Sequence, residues 1–340
     1  MSTRLYSLDT SKGLFIVLMT LSHIGLVNNA FVSGINHDWF LIFKMPGFYI
    51  ISGYLMYNAI GRPGFLLKKI DGIYKRYVLI AFYMMLALLV AGHSTSLQEI
   101  YDLLLGYSYG LGNGSVIFYP AWFIVNLPVS YLFCKIIISN LKAKRLSIVL
   151  LCWLALVVFN YNDSYLGFRL PFHMNISLYA VTYLLTGMAI KHINFDIENK
   201  RNILLFGSFF VAMRLILPNE YLHLDLAVRQ YNNFFATYAV SVSGVLFIIA
   251  LASTLDNTVI SRVLSLCSQN SLYILVLHIP VYTVIKDFIT TADPFYTQLI
   301  QTVVTIIICM AIALTVKKIN YLYLLLKSRS FIVKSPEGSQ

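Results

Sequence analysis

An all-α protein that crosses a membrane about ten times is the fold class this chain predicts, on three observations. Of its 340 residues, 59% are hydrophobic and only 11% charged, where a soluble globular domain carries about a quarter charged. The apolar residues gather into runs near the roughly 20 residues that carry a helix across a bilayer. The Lys and Arg residues between those runs alternate in density from one side to the other, as the positive-inside bias requires. Backbone inside hydrocarbon must satisfy its own hydrogen bonds, so runs of this length are helices.

The first run, 13–32, follows Lys12 and contains His23. It lacks a small-residue cleavage site and is therefore read as a retained helix, not a signal peptide. The second run, 40–60, holds the string Phe43-Lys44-Met45-Pro46-Gly47-Phe48-Tyr49-Ile50-Ile51-Ser52-Gly53-Tyr54. Pro46 suits a first helical turn, and Ser52-Gly53 offers a small surface on which a second helix can approach closely. Runs 77–92, 116–138, 146–160, 176–190 and 202–217 follow, with 146–160 and 176–190 short for a crossing. The series closes with 233–252, 271–290 and 296–316. Ten crossings make residues 1–330 one transmembrane domain, leave 331–340 as a polar tail, and put both termini on the same side.

With the termini cytoplasmic, only Lys44, Arg169, Arg214, Arg229 and Lys286 of the 25 cations fall on the outer side or at outer helix ends. The other 20 lie on the inner side, which satisfies the positive-inside rule at every loop. The net charge of +11 is thus a set of dispersed orientation signals and not a nucleic-acid groove. Four cysteines, Cys134, Cys152, Cys267 and Cys309, show no CxxC spacing, so neither a disulfide framework nor a metal site is expected. No glycine-rich phosphate loop and no internal repeat is present.

The first helix carries a polar seam. Lys12 and His23 are eleven residues apart and share one face, which carries the imidazole about 16 Å inward from the ammonium. Asp9 precedes Lys12 by three residues and extends the stripe if the helix begins early enough. Ionisable groups at such depth are costly and usually mark a pathway or a site, the alternatives being a histidine hydrogen-bonded between packed helices and a Lys12 that serves only as a flanking topology anchor.

Leu8-Asp9-Thr10-Ser11-Lys12-Gly13, then ten residues, then His23, then MPGFYIISGY, resembles the N-terminal signature of the membrane-bound acyltransferase family 3. That family includes bacterial sugar and polysaccharide O-acetylases, the fucose 4-O-acetylase-like enzymes among them. Ala121-Trp122-Phe123 resembles its central Trp-Phe element, and Asn270-Ser271-Leu272-Tyr273 through His278 its late Asn-Ser-Leu-Tyr…His element. The chain departs from the family at Ile73-Tyr74-Lys75-Arg76, where an Arg-x-x-Arg pair is usual and Lys75 or Lys69 must stand for the first arginine.

The resemblance implies O-acyl transfer in the bacterial inner membrane, from acetyl-CoA on the cytoplasmic side to a hydroxyl of a cell-surface or lipid-linked glycan. An imidazole is suited to act as base on a sugar hydroxyl, and His23 is the candidate, with Asp9 and Lys12 orienting the site or binding the donor. Arg76, Lys75 and Lys69 are candidate phosphate contacts for the coenzyme, although charge bias alone places the same cluster there. Trp122, Tyr119, Arg214 and Ser52 are candidate acceptor contacts, with Trp39, His37, Asp38 and Asn126 nearby on the outer side. His278 reads either as a second site residue or as a packing hydrogen bond, with packing the favoured reading. A transporter or flippase for a lipid-linked sugar is the competing class.

Overall fold

The computed structural model describes residues 6–24, 38–75, 121–140, 174–222, 224–226, 230–231, 233–291 and 293–332. Helix α1 is Tyr6–Ile24, α2 is Asp38–Met56, and α3 covers 65–75. Helices α4 (Ala121–Asn140), α5 (Met174–His192) and α6 (Arg201–Ile216) follow. A 3-10 turn, Asn219–Leu222, leads into the one departure from all-α structure among the described residues, a two-residue antiparallel ladder. There Leu224 pairs with Tyr231 and Asp225 with Gln230. The chain ends in α7 (Phe234–Thr254), α8 (Val259–Gln269), α9 (Ser271–Ile285) and α10 (Pro294–Ile332). The runs 77–92 and 146–160 lie outside the described residues, as do Arg76 and Tyr119.

Among the described residues, two helical stretches are long and apolar enough to cross a membrane, Phe234–Thr254 and Pro294–Ile319. Helices α8 and α9, bent by 83° at Asn270, supply a third if the pair is one broken span. The expectation of ten such crossings is therefore met only in part, and burial gives the reason. Helix α1 turns Ser7, Thr10, Ser11, Thr20 and Ser22 inward, and α5 does the same with Ser177 and Thr182. These side chains dilute the apolar average of helices whose outer faces are apolar. The outside is correspondingly greasy: Leu204, Leu205, Leu215 and Ile216 of α6 are all exposed.

Helix α8 was not anticipated, because its pattern reads as a polar connection. Its serines Ser261, Ser265 and Ser268 are buried while Val259, Ile260 and Val263 are exposed, which is amphipathicity turned outward. Thr258 caps its N-terminus by accepting from Ser261 N at 3.1 Å. Thr10 Oγ1 and Ser261 Oγ lie 2.9 Å apart, and a Cβ on Gly13 would collide with the Leu264 carbonyl, so α1 crosses α8 backbone to backbone. The small surface expected at Ser52-Gly53 is used in the same way. A Cβ on Gly53 would strike the Leu184 carbonyl, and one on Gly187 the Ile50 carbonyl, so α2 and α5 nest closely.

Cross-contacts fix the relative directions. Lys12 and Ser271 line one cavity while His23 meets His278, so α1 and α9 run parallel. Tyr49 and Asn126, then Ser52 and Tyr131, pair α2 parallel with α4. Lys317 reaches Asn270, and Gln301 reaches the Lys286 and Ile289 carbonyls, which makes α10 antiparallel to α9. These directions agree with the alternation assigned to the corresponding runs.

Candidate active site

Two imidazoles meet where α1 and α9 come together. His23 Nδ1 lies 2.6 Å from His278 Nε2, with the rings 4.9 Å apart and only 19° from parallel. His278 Nδ1 faces the carbonyls of Ile274 at 2.9 Å and Leu275 at 3.0 Å. A carbonyl can only accept, so Nδ1 of His278 carries that ring's proton. With both rings neutral, His278 Nε2 is then an acceptor and His23 Nδ1 the donor, which leaves the basic lone pair of His23 on Nε2. The backbone of α9 thereby selects the tautomer of a histidine on α1. His278 is fully buried and His23 partly so.

Lys44 of α2 stands beside this pair. Its Nζ donates to Ser22 Oγ at 2.6 Å, and Ser22 in turn donates to the Met19 carbonyl at 2.7 Å. The ammonium is an electrostatic neighbour of both imidazoles. The sequence reading counted Lys44 only among the outer cations. The signal that was available is a cation inside an apolar run, one residue before the Met-Pro step.

Below the histidines, between α1, α2, α3, α4 and α9, lies a cavity of about 350 Å³. Its walls are mostly apolar, including Ile16, Met45, Phe48, Phe123 and Leu275, and Lys12 and Lys69 stand at the end away from His23. Leu275 lies about 4.5 Å of helical rise below His278 and Ile16 about 10.5 Å below His23, and Met45 is the neighbour of Lys44, so the cavity ends about one turn beneath His278 and two beneath His23.

The structure divides the expected site residues into groups. His23 sits at the pair. Lys12 and Lys69 face the cavity, and Asp9 and Lys69 are the charged neighbours of Lys12, so the helix does begin early enough to carry Asp9 on the seam. The eleven-residue rise of α1 keeps Lys12 and Asp9 away from the imidazoles. Ser52 hydrogen-bonds to Tyr131 and lines the same cavity, at the end where the donor cations stand and not on the outer side. Lys75 points into solvent and pairs with Asp71 at 2.8 Å. Trp122 is buried edge-on against Phe123, and Arg214 is buried within α6. Asn126 is not an outer hydrogen-bonding group. It is fully buried, accepts from Tyr49 at 2.5 Å and donates to Ser177 at 2.8 Å, tying α2, α4 and α5 together.

The model of acyltransferase family 3, described as an acyltransferase domain, matches residues 5–315, which contain both histidines, Lys44 and the whole cavity. The chain belongs to this family. No match was found among curated proteins or among solved structures. The acyltransferase family and the apolar helices together make the chain a membrane acyltransferase.

Proposed function

We propose that this acyltransferase moves an acetyl group from acetyl-CoA to a hydroxyl of a cell-surface or lipid-linked glycan, in the bacterial inner membrane with its termini cytoplasmic. The observation that supports the reading most is the His23–His278 pair, because its hydrogen bonds put a basic lone pair on one defined atom of a helix interior. A sugar hydroxyl is a poor nucleophile at neutral pH and gains from a positioned base. His23 Nε2 takes the hydroxyl proton as the oxygen attacks the thioester carbonyl, and returns it to the departing thiolate. The apolar cavity suits the pantetheine arm and acyl group, while Lys12 and Lys69 suit the coenzyme phosphates, with Lys75 and its sequence neighbour Arg76 as further candidates. The acceptor approaches from the opposite side, past Lys44.

The test uses membranes or purified full-length protein supplied with acetyl-CoA and a glycan acceptor, with free CoA as the readout. Wild type is expected to release CoA only when acceptor is present. His23→Gln keeps hydrogen-bonding capacity but takes no proton near neutral pH, and at matched abundance its rate should fall by about 10²- to 10⁴-fold. A glutamine variant that kept most of its activity would remove His23 from the role of base.

A further inference from the structure

We infer that Lys44 is the cationic group that holds the negative charge developing on the thioester carbonyl oxygen during transfer. This rests on the acyl-transfer reading above and goes beyond it by assigning the electrophilic half of the site. Charge bias does not account for Lys44. Lys12, Lys69 and Lys75 stand where the positive-inside rule puts cations, whereas Lys44 is one of five on the other side. Its ammonium is partly buried in a helix interior, where desolvation is costly and a charge is kept for a purpose. It is also held in place: Ser22 fixes its own proton on the Met19 carbonyl and so offers its lone pairs to Lys44 Nζ. Ser22 directly precedes His23 on α1, so the anchor of the cation and the base are adjacent residues of one rigid helix.

The chemistry needs both groups at that spot. When the acceptor oxygen bonds to the carbonyl carbon, its proton passes to His23 Nε2 and the carbonyl π pair moves onto oxygen. Collapse re-forms that double bond, breaks the carbon–sulfur bond, and the thiolate takes the proton back from His23. Between the two steps the site contains one new imidazolium and one new oxyanion. A second cation, already ordered and poor in water, lowers the energy of that state without reorganising. The cavity wall at Met45 brings the acyl end of a donor to the residue next to Lys44.

The decisive measurement separates kcat from both KM values in Lys44→Gln, Lys44→Arg and Ser22→Ala, with His23→Gln as reference. Loss of one oxyanion donor costs about 10²- to 10³-fold in kcat, and Lys44→Gln, which loses the charge but keeps a neutral N–H donor, should fall toward the lower end of that range. The KM values for acetyl-CoA and for acceptor should stay within about threefold, as removal of an interaction made only in the transition state requires. Lys44→Arg keeps the charge and should retain clearly more kcat than Lys44→Gln, and Ser22→Ala should show a smaller loss of the same kind. If Lys44→Gln does not accumulate, the arginine and Ser22→Ala variants decide the question through the same split. A loss confined to acceptor KM would overturn the inference and make Lys44 a contact for an anionic acceptor. Near-normal kcat in Lys44→Gln, with activity lost in His23→Gln, would overturn it alone. Wild-type protein that releases no CoA with any glycan would overturn the acyl-transfer reading and this inference together.

Discussion

A neutral imidazole has two tautomers, and only one of them puts the lone pair of His23 on Nε2 while Nδ1 donates to His278. On the proposed mechanism His278 is a positioning residue, and its replacements should rank by their ability to accept that proton. The amide oxygen of His278→Gln can accept, so this variant should remain within about tenfold of wild type in kcat, whereas His278→Ala should lose about 10²-fold, near the lower bound for base assistance. The rate–pH profile gives a second readout, since two coupled rings titrate as a pair and a single ring does not. The acid limb should change shape in His278→Gln. Equal, near-normal rates in both variants would return His278 to a packing role. His23 was legible in the sequence because an ionisable group in an apolar run stands out. Its partner lies 255 residues away, and no local spacing says which two helices will touch. Lys44 was hidden for another reason, since a lysine in a membrane protein reads first as an orientation signal. Trp122 and Asn126 show the limit of residue type, which suggested outer sugar contacts for side chains that are buried in the structure.

At the scale of elements, packing depends on a few positions that admit no side chain. Gly53 and Gly187 let α2 and α5 approach until the backbone of each meets the small face of the other. Gly53→Ala should cost about 1–3 kcal/mol, the range for forcing an added carbon into a filled interface. It should lower the unfolding midpoint in detergent. Gly61→Ala is the control, because its Cβ meets nothing within 4 Å, and it should stay within about 0.5 kcal/mol of wild type. Equal losses in the two variants would remove close approach as the cause, since helix propensity and unfolded-chain entropy both favour alanine over glycine. The small-residue step on α2 was visible in the sequence, although its partner was not. Run positions were legible to within about five residues for most of the described helices, but α1 begins at Tyr6, ahead of the run at 13–32, α3 falls where the sequence suggested a loop, and two further departures are instructive. Helix α8 escaped because its serines face inward while Val259, Ile260 and Val263 face outward, against the pattern that marks a soluble amphipathic helix. Helix α10 runs beyond the apolar run at 296–316, because Lys317 and Lys318 are good helix formers that interrupt the apolar stretch without ending the helix.

Across the whole molecule, the two halves of the reaction call for two different ends of the helix bundle. The cavity with Lys12 and Lys69 opens toward one end, and α9 carries the chain from Ser271 beside that cavity, past His278, to Lys286 and Asp287 at the other. Ser7 hydrogen-bonds to Glu198, which puts the connection between α5 and α6, and with it Arg201, at the Lys12 end. On the proposed orientation, in which charge bias makes that end cytoplasmic, the proposed donor and acceptor would reach the histidine pair from opposite sides. The orientation follows from a test that does not involve activity. Single cysteines at residues 201 and 287, both exposed, are placed in a background lacking Cys134, Cys152, Cys267 and Cys309, and intact cells are treated with a membrane-impermeant maleimide. Position 287 should label at once, and position 201 only after the membrane is permeabilised. The reverse pattern would put the cationic cavity on the outside, away from any cytoplasmic thioester, and coenzyme A could then no longer be the donor that reaches His23 through it.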